Sequence, residues 1–143
     1  MNTRSDRLQP AVDQAQRREQ DALQRFAEQQ QRYAHVQQQM EDLKRYRQEY
    51  GLGSAGGLTV TALLNRQHFV ERIDQAIAQQ VREIERQQRL LETMRGQWLQ
   101  AHARERALGS VVERYRTQEQ QSEQRQEQAE IDERMQYRRR PAS

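Results

Sequence analysis

The sequence contains no cysteine, only two prolines and only six glycines among its 143 residues. Without cysteine there is no disulfide framework, no thiolate metal site and no cysteine nucleophile. The prolines, Pro10 and Pro141, lie near the two ends, so long helices can run between them. No window approaches the roughly 18 apolar residues of a membrane span, and no signal peptide follows Met1. These absences predict a cytoplasmic protein without direct membrane insertion.

Apolar residues are also scarce. The chain is 34% hydrophobic and 31% charged, with a mean hydropathy of −1.29. This is too little apolar material for a thick globular core, although it is enough for hydrophobic stripes along helices. The composition therefore predicts an all-α protein made of long, exposed helices.

The glycines are concentrated in one place, because four of the six lie between Gly51 and Gly57. Each glycine costs about 1 kcal/mol inside a helix, so a helix must break here. The stretch Gly51–Gly56 matches the dinucleotide-binding pattern G-x-G-x-x-G, but that pattern has meaning only after a β-strand, and the chain has no β-rich run. We interpret residues 51–60 as a turn and predict no cofactor.

A seven-residue hydrophobic repeat runs on both sides of this turn. Helix one is predicted over about 6–50, capped by Ser5 or Asp6, and helix two over about 61–118, capped by Thr61, with a fraying tail over 119–143. Helix one places two series on the seam: Val12, Glu19, Phe26, Tyr33, Met40 and Arg47, and Leu8, Ala15, Ala22, Gln29, Val36, Leu43 and Tyr50. Helix two contributes Leu63, Val70, Ile77, Ile84, Leu91, Trp98, Glu105 and Val112, and Ile73, Gln80, Gln87, Met94, Ala101, Leu108 and Tyr115.

Because the break between the two stripes is short, the helices are predicted to pair within one chain as a long antiparallel two-helix coiled-coil hairpin. Numbers of facing residues should sum to about 120, which places Trp98 opposite Ala22. Polar residues such as Gln29 and Gln87 interrupt the seam. They are expected to specify the register at some cost in stability.

The sequence argues against chemistry. Its three histidines, His35, His68 and His102, are far apart in the helical order and cannot supply the four ligands of a structural metal site. A two-helix coiled coil has no pocket that would dry carboxylates and shift their pKa values. We therefore predict a non-enzyme without catalytic, cofactor or metal residues and without a small-molecule substrate. Acidic residues dilute nearly every arginine-rich window, which argues against nucleic-acid binding.

Two aromatic residues stand beside the seam near the turn. Tyr46 lies between the seam positions Leu43 and Tyr50, and Phe69 lies beside Val70. Two interpretations are open for Tyr46 and Phe69, and both can hold. They close the end of the hairpin as a small core, or they form a docking patch for another protein.

Four segments carry a resemblance to a known family. They are Ser5-Asp6-Arg7-Leu8-Gln9-Pro10, the run Leu43-x-x-Tyr46-x-x-x-Tyr50, the run Asn65-x-x-x-Phe69-x-x-x-Ile73-x-x-Ala76-Ile77, and the Gln- and Glu-rich segment Glu127–Glu133. In these segments the chain resembles the flagellar FliJ family over nearly its whole length. The glycine-rich turn is not part of the resemblance.

The resemblance implies a stalk in the flagellar type III protein export apparatus, at the cytoplasmic face of the inner membrane. Its partners would be the hexameric export ATPase, the cytoplasmic domain of the export-gate membrane protein, and export chaperones. The surface that contacts the gate would consist of Gln39, Leu43, Tyr46, Tyr50, Phe69, Ile73, Ala76 and Gln80. The alternatives are a generic coiled-coil adaptor or scaffold and a basic coiled coil associated with nucleic acid.

Overall fold

The computed structural model describes residues 2–51 and 59–139, which form two long helices. They are α1 (Arg4–Gly51) and α2 (Val60–Arg139). The predicted all-α helical hairpin is confirmed, because the two helices pack against each other and the described residues contain no strand. Most of the predicted glycine-rich turn, residues 52–58, lies outside the described residues, as does the end of the predicted tail, 140–143.

Thr3 caps the N-terminus of α1, whereas the sequence predicted Ser5 or Asp6 as the cap. The backbone N–H of Asp6 donates to Thr3 Oγ1 over 3.2 Å, and Asp6 Oδ2 accepts from the Thr3 N–H at 3.4 Å. This reciprocal pair satisfies two N–H groups that lack intrahelical partners. Ser5 is unsuited to the cap because it faces α2, where it is 4% exposed.

The cap of α2 also differs from the prediction. Thr59 Oγ1 accepts a hydrogen bond from the Ala62 N–H at 3.2 Å, and the Thr59 carbonyl accepts from Leu63 at 3.0 Å. Thr61 already lies inside the helix. Thr59 is the cap because its side-chain oxygen accepts from the N–H three positions further on, which is the geometry of a cap.

The chain divides into two compact units, of which the second comprises Asp21–Trp98. In this unit the helices are antiparallel, since Gln29 contacts Gln87 and Arg47, further along α1, contacts Asp74, earlier on α2. Val36, Met40 and Ile73 are its buried apolar side chains. The number sums of the contacting pairs, 116 for Gln29 with Gln87 and 121 for Arg47 with Asp74, lie close to the predicted 120.

A buried polar layer interrupts the seam of this unit. Gln29 and Gln87 are 3% and 8% exposed, and Gln29 Nε2 donates to Gln87 Oε1 at 2.6 Å and to the Gln87 carbonyl at 3.1 Å. Gln87 Nε2 in turn donates to Glu83 Oε1 at 2.8 Å.

The carboxylate of Glu83 has a lowered pKa, about 2 instead of its ordinary 4.5. The larger cause is the hydrogen bond from Arg86, and the smaller is the hydrogen bond from Gln87. Its contribution to stability is therefore present above pH 4.5 and is lost as the pH falls towards 2.

Replacing Gln29 alone by leucine should destabilise the protein by about 1 to 2 kcal/mol, because the buried side-chain oxygen of Gln87 then loses its donor. The double variant Gln29→Leu/Gln87→Leu should recover most of that loss, since both polar groups leave the seam together. Chemical denaturation followed by circular dichroism measures both values. Gln38→Leu, at an exposed position of α1, is the control and should change stability by less than about 0.5 kcal/mol. Additive effects of the two seam changes would contradict the pairing.

The first unit comprises Met1–Gln20 and Leu99–Ser143 and so contains both chain termini. Val12, Ala15 and Val112 are its buried apolar side chains. Polar contacts join its helices in antiparallel order, among them those of Ser5 and Glu19. Ser5 donates to Glu119 through its backbone N–H, at 3.2 Å, and its hydroxyl, at 2.7 Å. Glu19 Oε1 lies 3.7 Å from His102 Nδ1.

Beyond the Ser5–Glu119 contact, α2 continues without a described residue of α1 beside it. The stretch predicted to fray is helical through Arg139, and every side chain from Gln120 to Arg139 is exposed. This segment contains neither glycine nor proline, and bonds such as that from Gln128 Nε2 to Asp132 Oδ1 at 3.2 Å support the helix locally. Ile131, Met135 and Tyr137 are its exposed large apolar side chains.

Candidate functional site

The eight residues predicted to contact the gate all lie in the second unit, and the antiparallel register matches them by number as four pairs. Direct contacts join the first and the last of these pairs. In each pair one residue belongs to α1 and one to α2, and the two numbers sum to 119. The pairs are Gln39 with Gln80, Leu43 with Ala76, Tyr46 with Ile73, and Tyr50 with Phe69. The antiparallel register therefore brings together residues that are up to 41 positions apart in sequence.

The pair furthest from the turn is polar. Gln80 Nε2 donates to the Val36 carbonyl at 2.8 Å and to Gln39 Oε1 at 3.2 Å. Gln80 is half-buried and Gln39 is exposed. The amide of Gln80 thus bonds to α1, and Gln39 presents the accessible side chain of this pair.

The two middle pairs combine supporting and accessible residues. Ile73 is only 7% exposed, so it belongs to the hydrophobic core between the helices and not to the accessible surface. Leu43 and Ala76 are half-buried. Tyr46, in contrast, is 53% exposed and offers much of its ring to the solvent.

The pair nearest the turn is aromatic. The rings of Tyr50 and Phe69 lie 4.6 Å apart at an angle of 57°, a geometry in which the edge of one ring approaches the face of the other. Both residues remain more than two-fifths exposed. Both border an open groove of about 530 Å³. We name it the linker-end groove, because it lies next to the residues that link α1 to α2 in sequence. It is lined by Tyr46, Glu49, Tyr50, Ala62, Asn65, Arg66 and Phe69.

The eight predicted site residues do not include four residues of this groove: Glu49, Ala62, Asn65 and Arg66. Arg66 Nε donates to the Tyr50 carbonyl at 2.6 Å and so joins the two helices at the groove. One turn away, Arg47 Nε donates to Asp74 Oδ1 at 2.7 Å. The register signals the second contact, because Arg47 is a seam position and faces Asp74 once facing numbers sum to about 120.

The charges around the groove are largely neutralised nearby. Lys44 lies 4.0 Å from Glu41, and Arg45 lies 3.9 Å from Asp42, each within one turn of α1. Such exposed pairs contribute little to stability, typically about 0 to 1 kcal/mol. They leave a surface without a dominant sign, on which the exposed aromatic rings are the main means of attracting a partner.

Residues 2–51 and 59–139 contain no group of three acidic, histidine or cysteine side chains that could hold a metal ion. Neither described helix has a segment long and apolar enough to cross a bilayer. Glu49 and Arg66 are the charged side chains of the groove, which is open to solvent.

Two long helices packed against each other define the class of all-α helical-hairpin proteins. The comparison with protein families specifies which one. A sequence model of the family described as flagellar FliJ protein matches residues 4–142, nearly the whole chain. The chain belongs to this family and is a coiled-coil protein associated with flagellar protein export.

The resemblance stated from the sequence motifs is thereby confirmed. Comparison with curated proteins gave no match, and comparison with solved structures gave none either.

Proposed function

We propose that the protein is a non-catalytic stalk of the flagellar type III export apparatus that bridges two partners. One is the hexameric export ATPase, and the other is the cytoplasmic domain of the export-gate membrane protein. Through the gate it would be held peripherally at the cytoplasmic face of the inner membrane. We also propose that it assists export chaperones, for which membership in the family is the support.

The linker-end groove is the observation that carries the proposal. Tyr46, Tyr50 and Phe69 are large side chains that remain 53%, 42% and 43% exposed in a chain with few aromatic residues. Aromatic side chains that stay accessible are costly for solubility and are typical of the centres of protein interfaces. The resemblance assigns these three residues to the gate, and their accessibility supports that assignment.

We propose that the ATPase contacts the first unit, which comprises the residues at both ends of the sequence. Its support is the exposed segment 120–139 of α2, which is helical although no described residue of α1 packs on it. A polar helix of this length is only marginally stable alone in water, so a binding partner would stabilise it. Ile131, Met135 and Tyr137 are available for such a contact.

The proposal is tested by reconstituting the purified full-length chain with the ATPase, with the gate domain, and with both. We expect a ternary complex in size-exclusion chromatography. A chain truncated after Glu119 should bind the ATPase at least about tenfold more weakly. It should still bind the gate domain, because the removed residues 120–139 make no described contact with α1.

The matched control for the truncation is the chain shortened only by residues 140–143, which should still bind the ATPase. If the chain binds neither the ATPase nor the gate domain, or cannot hold both at once, the bridging role is wrong. A generic coiled-coil adaptor would then be the better interpretation.

A further inference from the structure

The C-terminal end of α1 needs partners that α1 does not provide. The last four carbonyl groups of a helix have no intrahelical donor, and the last turn of α1 contains no basic residue that would complement them. The donor comes from the other helix, since Arg66 Nε reaches the Tyr50 carbonyl at 2.6 Å. A guanidinium of α2 thus donates to a carbonyl of the last turn of α1, which has no basic residue of its own.

A second guanidinium lies over the same helix end. Arg47 is tied to Asp74 of α2 at 2.7 Å, and a Cβ placed on Gly51 would lie 2.8 Å from Arg47 Nη1. The final turn of α1 is therefore enclosed by two arginine contacts to α2. Of these two arginines, only Arg66 bonds to the backbone of Tyr50, whose ring borders the groove.

Tyr50 is the residue whose placement depends most on this hydrogen bond. Its backbone accepts the Arg66 bond, and its ring lies 4.6 Å from that of Phe69, which follows Arg66 by three residues on α2. Residues three apart on a helix are neighbours on its surface, so Arg66 and Phe69 contact backbone and ring of the same tyrosine from one face of α2. Helix ends fray when their carbonyls lose partners, and a frayed turn would take the Tyr50 ring away from Phe69.

We propose that Arg66 is a positioning residue of the linker-end groove, which holds the last turn of α1 on α2 so that Tyr50 stays against Phe69. The gate-binding part of this inference rests on the proposed function. The part that concerns ring geometry does not.

The test compares Arg66→Ala, Arg66→Lys and Arg82→Ala in the full chain. Lysine keeps a cationic donor for the carbonyl. Arg82 is an exposed arginine of α2 away from the groove, so its loss changes the net charge equally. Two quantities are measured: the nuclear Overhauser effects between the Tyr50 and Phe69 rings, and the affinity for the purified gate domain.

In Arg66→Ala we expect the ring-to-ring effects to fall at least about threefold and the affinity to fall about five- to tenfold, because a smaller fraction of the chain holds the groove in its binding form. Arg66→Lys should stay within about twofold of the unaltered chain in both. Arg82→Ala should not differ from it.

Undiminished ring-to-ring effects in Arg66→Ala would overturn the positioning role, whatever happens to binding. If binding alone were lost, Arg66 would be a direct partner contact. Equal losses in all three variants would mean general destabilisation and would also overturn it. If the unaltered chain fails to bind the gate domain, the proposed function fails, while the ring measurement still decides the role of Arg66.

Discussion

Replacing Tyr46 and Phe69 together by alanine is expected to reduce affinity for the gate domain more than about 100-fold and to abolish motility, because aromatic residues at interface centres carry about 2 kcal/mol or more each. Far-UV helicity should remain nearly unchanged. The two side chains are 53% and 43% exposed, so most of the seam does not depend on them. Calorimetric titration with the gate domain and a swimming assay measure the two losses.

Leu23→Ala is the matched control for this double variant. Leu23 lies in the same unit and is 43% exposed, as Phe69 is, but it lies on α1 far from the groove. It should leave binding and motility intact. Because Phe69 also packs on Tyr50, the double variant tests the small-core interpretation as well. A large fall in helicity together with binding would show that the aromatic residues serve mainly to fold the hairpin end.

Trp98→Ala is expected to lower the free energy of unfolding by about 2 to 3 kcal/mol. The ring of Trp98 lies parallel to that of Phe26, with an interplanar angle of 3° and centroids 6.1 Å apart. Its side chain is only half-buried, so the loss should lie at the lower end for a large aromatic residue. Thermal and chemical unfolding followed by circular dichroism measure the change.

Trp98→Phe provides the internal comparison, because it keeps an aromatic ring beside Phe26 and should lose less than half as much as alanine. Leu99→Ala changes the next residue, which is 46% exposed, and should cost less than about 0.5 kcal/mol. An unchanged melting temperature in Trp98→Ala would mean that the stacked contact contributes nothing and that the register in this region is wrong.

The candidate site was partly predictable because its residues follow the helical period. Tyr46 and Phe69 stand beside the seam in the sequence, and they are exposed in the structure. Ile73, placed in the same predicted set, is buried, since it lies on the seam itself. Arg66 could not be assigned from the period, because its partner is a backbone carbonyl on the other helix.

The helix caps and the polar seam positions were also only partly predictable from the sequence. The sequence offers Thr3, Ser5 and Asp6 near the start of α1, and the choice of Thr3 depends on Ser5 turning towards Glu119. Gln29 and Gln87 were expected to weaken the seam. In the structure they bond to each other, so each satisfies the polar group that the other would otherwise leave buried.

The sequence by itself determined the fold class, because a heptad stripe and a lack of helix breakers are local properties of the chain. Every seam position from Leu8 to Arg47 and from Val70 to Tyr115 is accordingly buried or half-buried. Only the tertiary structure decided which polar side chains meet and how Tyr50 is held beside Phe69. These contacts join residues far apart in sequence, and a shift of a few ångströms between the helices would exchange their partners.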